Sequence, residues 1–160
     1  MSAYFVHLNQ EEKSLLKDAV PLIAVLISGA DGVFSKSELD SAKKITHIRS
    51  YNLKSDIKEF YKEVDTDIIE KINYYIDTLP GGVHQRNDII SEKLAALNPI
   101  LDKIEQPKRY NLYKGFLTFA EHIAKASGGV LGFFGVNSEE AKLISLPMIN
   151  PVPFYEDEEE

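Results

Sequence analysis

The chain contains no cysteine, and no apolar run in its 160 residues is long enough to cross a bilayer. The missing cysteine excludes disulfides, thiolate metal ligands and cysteine nucleophiles. The first residues also lack the basic and apolar regions that characterise a secretory signal peptide. We therefore expect a cytoplasmic protein without a transmembrane segment.

Clusters of basic residues are also missing. The formal net charge is −7, from 25 acidic and 18 basic residues, and five of the acids are residues 156–160. Residues 1–155 thus carry 20 acidic and 18 basic residues, a net charge of −2. The densest basic spots, Lys43–Lys44 and Lys108–Arg109, are too small for a nucleic-acid footprint. We expect no nucleic-acid partner, and the overall acidity does not indicate a metal-binding surface.

Helical periodicity is present almost throughout, because apolar residues recur three and four positions apart and no stretch alternates with period two. The length suits one domain. We predict an all-α fold, a single compact bundle of about seven helices over residues 1–150. Residues 151–160 form a proline-containing acidic tail, which we expect to be disordered.

The helix boundaries follow from capping residues, prolines and glycines. Asn9 and Glu12 predict a capping box for the first helix, Pro21 predicts a kink or a delayed start within it, and Pro99 predicts a kink in the fifth. The predicted spans are about Asn9–Ser28, Ser35–Arg49, Ser55–Val64, Asp65 or Thr66 to Leu79, His84–Glu105, Pro107–Ala124, and Asn137 or Ser138 to Ile144 or Met148.

The turn between the first two helices is the most informative stretch. Gly32 is suited to a positive-φ turn position, Asp31 can accept hydrogen bonds from turn amides, and Ser35 with Glu38 forms a second capping pattern. Capping alone explains each of these residues. The same spacing matches the second half of an EF-hand loop, but the acids of its first half are missing, so an EF-hand site is poorly supported.

An apolar helix, residues 22–29, that runs into Ala30-Asp31-Gly32 and then into Ser35 and Glu38 resembles the TerB-like tellurite-resistance family. The resemblance implies a small all-helical domain and a stress-response role. Some members of that family are proposed to bind divalent metal through clustered acids.

A second corner parallels the first and gives the fold an internal pseudo-repeat. Residues 119–128 match the first helix end, with Ser127 in place of the aspartate, and Asn137 with Glu140 parallels the Ser-x-x-Glu cap. A helix could bring His122 near Glu140. A divalent cation, if one binds, would then have four candidate ligands: Asp31, Glu38, His122 and Glu140.

The longer loop of the second corner, Gly128–Val136, is rich in glycine and apolar residues but fits no phosphate-binding pattern. Its apolar side chains either pack into the core or leave Leu131, Phe133 and Phe134 partly exposed. In the second case they would form a docking patch for a protein partner or a second subunit.

These patterns predict a non-enzymatic binding or scaffold protein of the TerB-like type, with a divalent cation as its only candidate cofactor. No serine–histidine–acid set lies in a recognisable catalytic context, so an all-helical hydrolase has no support. The alternative is a metal-free protein-interaction module that uses the Gly128–Val136 loop or the acidic tail.

Overall fold

The computed structural model describes residues 5–30, 32, 34–52, 57–127 and 138–154, without the side chains of 52, 127 and 138–140. Over these residues the fold is all-α, with seven helices of seven or more residues and one single turn, α6. This confirms the predicted fold class. The helices are α1 (Gln10–Ser28), α2 (Lys36–Asn52), α3 (Lys58–Asp65), α4 (Ile68–Thr78), α5 (Val83–Ala95), α6 (Asn98–Leu101), α7 (Lys108–Ser127) and α8 (Ser138–Ile144). None of them is both long and apolar enough to span a bilayer.

Helix α1 is the centre of the bundle. Its residues from Ala19 onward are buried through Ala30, and it contacts α2, α3, α4, α5, α7 and α8. The predicted capping box is confirmed: the Asn9 side chain accepts from the Glu12 amide at 2.8 Å, and the Glu12 carboxylate accepts from the Asn9 amide at 3.1 Å. This cap satisfies two amides that the first turn would otherwise leave without partners.

Pro21 lies inside α1, and the delayed start that it predicted is wrong. A proline within a helix removes one backbone hydrogen bond and costs about 3 kcal/mol. Burial of the side chains around it offsets that cost, because each fully buried aliphatic side chain contributes roughly 1.5–3 kcal/mol.

Pro99 has a larger effect than the predicted kink. Helix α5 ends at Ala95, and the chain continues as the single turn α6 with Pro99 in its first turn. The ring of a proline clashes with the carbonyl four residues earlier, which here belongs to Ala95. The predicted continuous helix to Glu105 is therefore wrong.

Several other boundaries differ from the prediction. Helix α2 continues beyond Arg49 to Asn52, and α7 continues beyond Ala124 to Ser127. Helix α4 begins after Asp67, whose side chain makes no capping hydrogen bond, rather than after Asp65 or Thr66.

The segment after α8 packs along α6 and α7. Leu146 and Ile149 are buried in the core. The Asn98 side chain donates to the Met148 carbonyl at 3.1 Å and accepts from the Asn150 amide at 2.8 Å. Of the predicted tail, residues 151–154 belong to this segment, and residues 155–160 lie outside the described part of the chain.

Candidate functional site at the α1–α2 corner

The backbone of the corner is held by local hydrogen bonds. The amide of Gly29 donates to Val25, that of Gly32 donates to Gly29 at 2.9 Å, and that of Ser35 donates to Ser28 at 3.2 Å. Gly32 has the predicted positive φ, +93°. The hydroxyl of Ser35 accepts from the Glu38 amide at 3.3 Å, which confirms the predicted cap of α2.

An arginine from α5 closes the end of α1. Arg86 is only 3% exposed, and its Nη2 donates to the Gly29 carbonyl at 2.6 Å. Its guanidinium lies over the Phe34 ring, 4.6 Å from the centroid. Since the last turn of α1 contains no basic residue, Arg86 supplies the positive charge that stabilises a helix C-terminus.

Gly29 is required by this packing. A Cβ atom at this position would lie 2.6 Å from Cε1 of Phe34 and 2.8 Å from Nη2 of Arg86. Because van der Waals contacts between carbon atoms are optimal near 3.5–4.0 Å, any side chain here would displace the phenyl ring or the guanidinium. The missing side chain therefore permits the close approach of α5 to the corner.

The corner also contains buried polar side chains. Glu38 and Ser28 are each 2% exposed. The Ser28 hydroxyl and Nε of Arg86 have no hydrogen-bond partner among the residues that the structure describes. Burial lowers the pKa of Arg86, although an arginine side chain stays protonated in proteins. Most buried polar atoms in folded proteins do have partners, so this corner retains hydrogen-bonding capacity beneath its surface.

The structure places only two of the four candidate metal ligands. Glu38 is buried at the start of α2, whereas His122 is exposed on α7. Asp31 and the side chain of Glu140 lie outside the described residues. Within the described part of the chain, no three His, Cys, Asp or Glu side chains form a group that could hold a metal ion. The four-residue ligand set stays a prediction.

Most of the second corner lies outside the described part of the chain. Its loop, Gly128–Val136, lies outside the described residues, together with Leu131, Phe133 and Phe134. The pseudo-repeat of two corners and the docking patch therefore both stay predictions.

Sequence reasoning missed Arg86, although the sequence contains one signal. Arg86, Ile90 and Leu94 are spaced by four residues and all three are buried, so the arginine stands on the apolar stripe of its own helix. A charged residue in that position is rarely buried without a partner. The identity of the partner could not be read from the sequence, because Gly29 is 57 positions away.

A second arginine, Arg49, can be compared with Arg86. Nη1 of Arg49 on α2 donates at 2.8 Å to both the Tyr61 hydroxyl and the Gly115 carbonyl. Its Nη2 donates to Thr118 at 2.9 Å, and its guanidinium lies 5.1 Å from the Tyr61 ring centroid. Burial raises the pKa of the Tyr61 hydroxyl, and the charge of Arg49 opposes this shift. Arg49 thus joins α2 to α3 and α7.

Comparison with known proteins adds no relative. No protein-family model matches the chain, and neither a curated protein nor a solved structure matches it.

Proposed function

We propose that the chain is a non-enzymatic binding or scaffold protein of the TerB-like tellurite-resistance type, and that its α1–α2 corner binds a divalent cation weakly. Glu38 and Asp31 are the central ligands of this proposal, and His122 and Glu140 complete the wider set. The resemblance at Ala30-Asp31-Gly32 and Ser35-x-x-Glu38 supports the family part of this proposal.

The observation that supports the cation proposal best is the burial of Glu38, which is 2% exposed. Carboxylate oxygens are the ligands that Ca²⁺ and Mg²⁺ prefer. The adjacent backbone is fixed by Arg86 and by the Ser35 cap, so a bound ion would meet a preformed corner.

The experiment is a titration of the ¹⁵N-labelled chain with Mg²⁺, Ca²⁺, Mn²⁺ and Zn²⁺, followed by amide shifts. Saturable shifts at Gly32 and Ser35 are expected in the wild type and should be lost in Glu38→Gln. Glu11→Gln, an exposed acid in the first turn of α1, is the matched control and should retain them. Broadening by Mn²⁺ near His122 would extend the ligand set to the second corner. The absence of any saturable shift at the corner would eliminate the cation proposal.

The second candidate is a metal-free protein-interaction module that uses the Gly128–Val136 loop or the acidic tail. It is favoured by Phe154, which is 65% exposed although its ring contacts that of Tyr110 at 5.3 Å. An exposed aromatic ring thus lies two positions before the first residue of the acidic run, Glu156, and exposed aromatic side chains are common at protein interfaces.

Sedimentation velocity of the double variant Phe133→Ser/Phe134→Ser tests the loop version of this candidate. Lost association with unchanged melting would support it, whereas a large loss of stability would show that the two rings belong to the core. The corresponding test for the tail is Phe154→Ser, with Val6→Ser, another exposed apolar residue (63%), as its control.

A further inference from the structure

A partly enclosed cavity lies between α6, the first turn of α7 and the segment after α8. Asp102 and Arg109 line it together with residues 150–153, and it encloses about 140 Å³. Lys103, the residue after Asp102, pairs with Glu12 in the first turn of α1 at 2.7 Å. The cavity therefore lies toward the opposite end of α1 from the α1–α2 corner.

The walls of this cavity are held by hydrogen bonds to the backbone. Nε of Arg109 donates to the Ile104 carbonyl at 2.9 Å, and its Nη2 donates to the Asp102 carbonyl at 3.3 Å. The Asn98 side chain fixes the segment after α8 through two further backbone groups. A ligand would thus enter a largely preformed site, as is usual for small molecules.

Two opposite charges line the cavity without pairing. The Asp102 carboxylate forms no ion pair or hydrogen bond with the described residues, and Nη1 of Arg109 is also without a hydrogen-bond partner among them. The Arg109 side chain stays protonated, as arginine does in proteins. Leu101 and residues 151–153 supply apolar surface. The cavity thus combines one cationic donor, one carboxylate and apolar walls.

The volume of the cavity restricts the ligand to a small molecule. It equals the share of about five water molecules, at roughly 30 Å³ each. Sites for drug-sized ligands enclose about 300–1,000 Å³. A nucleotide or an aromatic cofactor would therefore not be enclosed here.

We propose that this cavity binds a small α-amino acid with an apolar side chain, whose carboxylate accepts from Arg109 and whose ammonium donates to Asp102. Both contacts are charge-assisted hydrogen bonds, which are stronger than neutral ones. A simple anion would lie beside the Asp102 carboxylate and a metal ion beside the guanidinium, so repulsion between like charges disfavours both. A neutral apolar molecule would cover both charges without giving them a partner.

The probes are L-alanine and L-valine, titrated separately into the full ¹⁵N-labelled chain. L-lactate and L-alaninamide are the references for L-alanine, because they keep its number of non-hydrogen atoms but lack the ammonium and the carboxylate, respectively. Saturable shifts are expected at the amides of Asp102, Arg109 and Val152 with the amino acids. Each reference should bind at least about tenfold more weakly than L-alanine, because one charge-assisted hydrogen bond is lost.

Three variants assign the two charges. Asp102→Asn, at an exposed position, should weaken binding of L-alanine about tenfold without weakening that of L-lactate. Arg109→Gln should weaken both of these ligands but not L-alaninamide. Glu105→Gln, which removes a nearby exposed acid outside the cavity, should leave the affinity for L-alanine unchanged. Thermal melting is measured for each variant, and Asp102→Asn decides the test alone if Arg109→Gln loses its fold.

Three results would overturn the proposal. Equal binding of L-lactate would show that Arg109 holds any small anion. Equal binding of L-alaninamide would show that acidic groups, such as residues 156–160, attract the ammonium without a defined site. The absence of saturable shifts around the cavity with both L-alanine and L-valine would show that the two charges bind no amino acid.

Discussion

Arg49 and Arg86 both lie against an aromatic ring and both donate to the carbonyl of a glycine, but they form different numbers of hydrogen bonds. Arg49 makes three hydrogen bonds from its two terminal nitrogens, to Tyr61, Gly115 and Thr118. Arg86 makes one, to Gly29, and its Nε has no partner among the described residues. The more deeply buried arginine is therefore the less well satisfied one.

This difference separates two uses of a guanidinium that packs against an aromatic ring. At the Arg49 junction the cation satisfies groups from two other helices, so its removal leaves the buried Tyr61 hydroxyl without its donor. At the α1–α2 corner the Arg86 cation forms one hydrogen bond to the C-terminal end of α1. Its burial carries the desolvation cost of a charge removed from water. We expect the first arrangement to contribute more to stability, and four substitutions test this ranking.

The largest effect is expected for Arg49→Met. It removes three hydrogen bonds and leaves the buried Tyr61 hydroxyl without its donor, so the free energy of unfolding should fall by about 3 kcal/mol. Urea denaturation followed by circular dichroism measures the change. Thr118→Val, which removes one of the three acceptors, should cost only about 1 kcal/mol. A loss below that value for Arg49→Met would contradict the ranking.

The next effect is expected for Gly29→Ala. The added Cβ would lie within 2.8 Å of both the Phe34 ring and the Arg86 guanidinium, and overpacking of this kind costs about 1–3 kcal/mol. We expect about 2 kcal/mol in the same denaturation assay. Gly81→Ala is the control, since a Cβ there meets nothing within 4 Å; a similar loss in both variants would exclude the close approach as the cause.

A smaller effect is expected for Arg86→Met. The substitution removes one hydrogen bond and the charge at the end of α1, but it also removes a buried cation whose Nε is unsatisfied. These contributions partly cancel, and we expect a loss of about 1 kcal/mol. Hydrogen exchange at Gly32 and Ser35 should rise along with it. A loss of stability as large as that of Arg49→Met would contradict the ranking, because it would mean that the interactions of Arg86 contribute as much as those of Arg49.

The smallest effect is expected for Gly115→Ala in α7. Alanine is favoured over glycine in a helix by about 1 kcal/mol, whereas its Cβ would lie 3.1 Å from the Tyr61 hydroxyl. The two effects oppose each other, so stability should change by less than about 0.5 kcal/mol. A clear loss in thermal melting would mean that Tyr61 and Arg49 cannot shift by the few tenths of an ångström required.

Local signals predicted the fold well where the determinant is local. The capping box at Asn9 and Glu12 and the Ser35 cap depend on residues three positions apart, and the apolar periodicity decides the helical class. Gly32 adopts its positive φ for the same reason, since the turn itself requires it. These features needed no knowledge of packing.

The two prolines show where local reasoning stops. Pro21 and Pro99 present the same chemistry, a missing amide and a ring that crowds the preceding turn. Helix α1 continues through Pro21 because both sides of it are buried in the core, whereas α5 ends four residues before Pro99. Only the surroundings distinguish the two cases, and a single sequence does not reveal them.

The candidate site was less predictable than the fold. The sequence indicated Gly32, Ser35 and Glu38 as parts of one corner, but it did not reveal that Glu38 is buried. The contact between Arg86 and Gly29 arises from the packing of α5 on α1.

The central position of α1 has a consequence for how the protein unfolds. Six other helices contact α1, so none of these contacts can be lost without exposing part of its apolar surface. Local opening that leaves the remaining core intact is therefore restricted to segments away from α1. We expect a single cooperative transition, with the slowest amide exchange in residues 19–28. A substitution in a peripheral helix would then change the free energy of unfolding of the whole bundle.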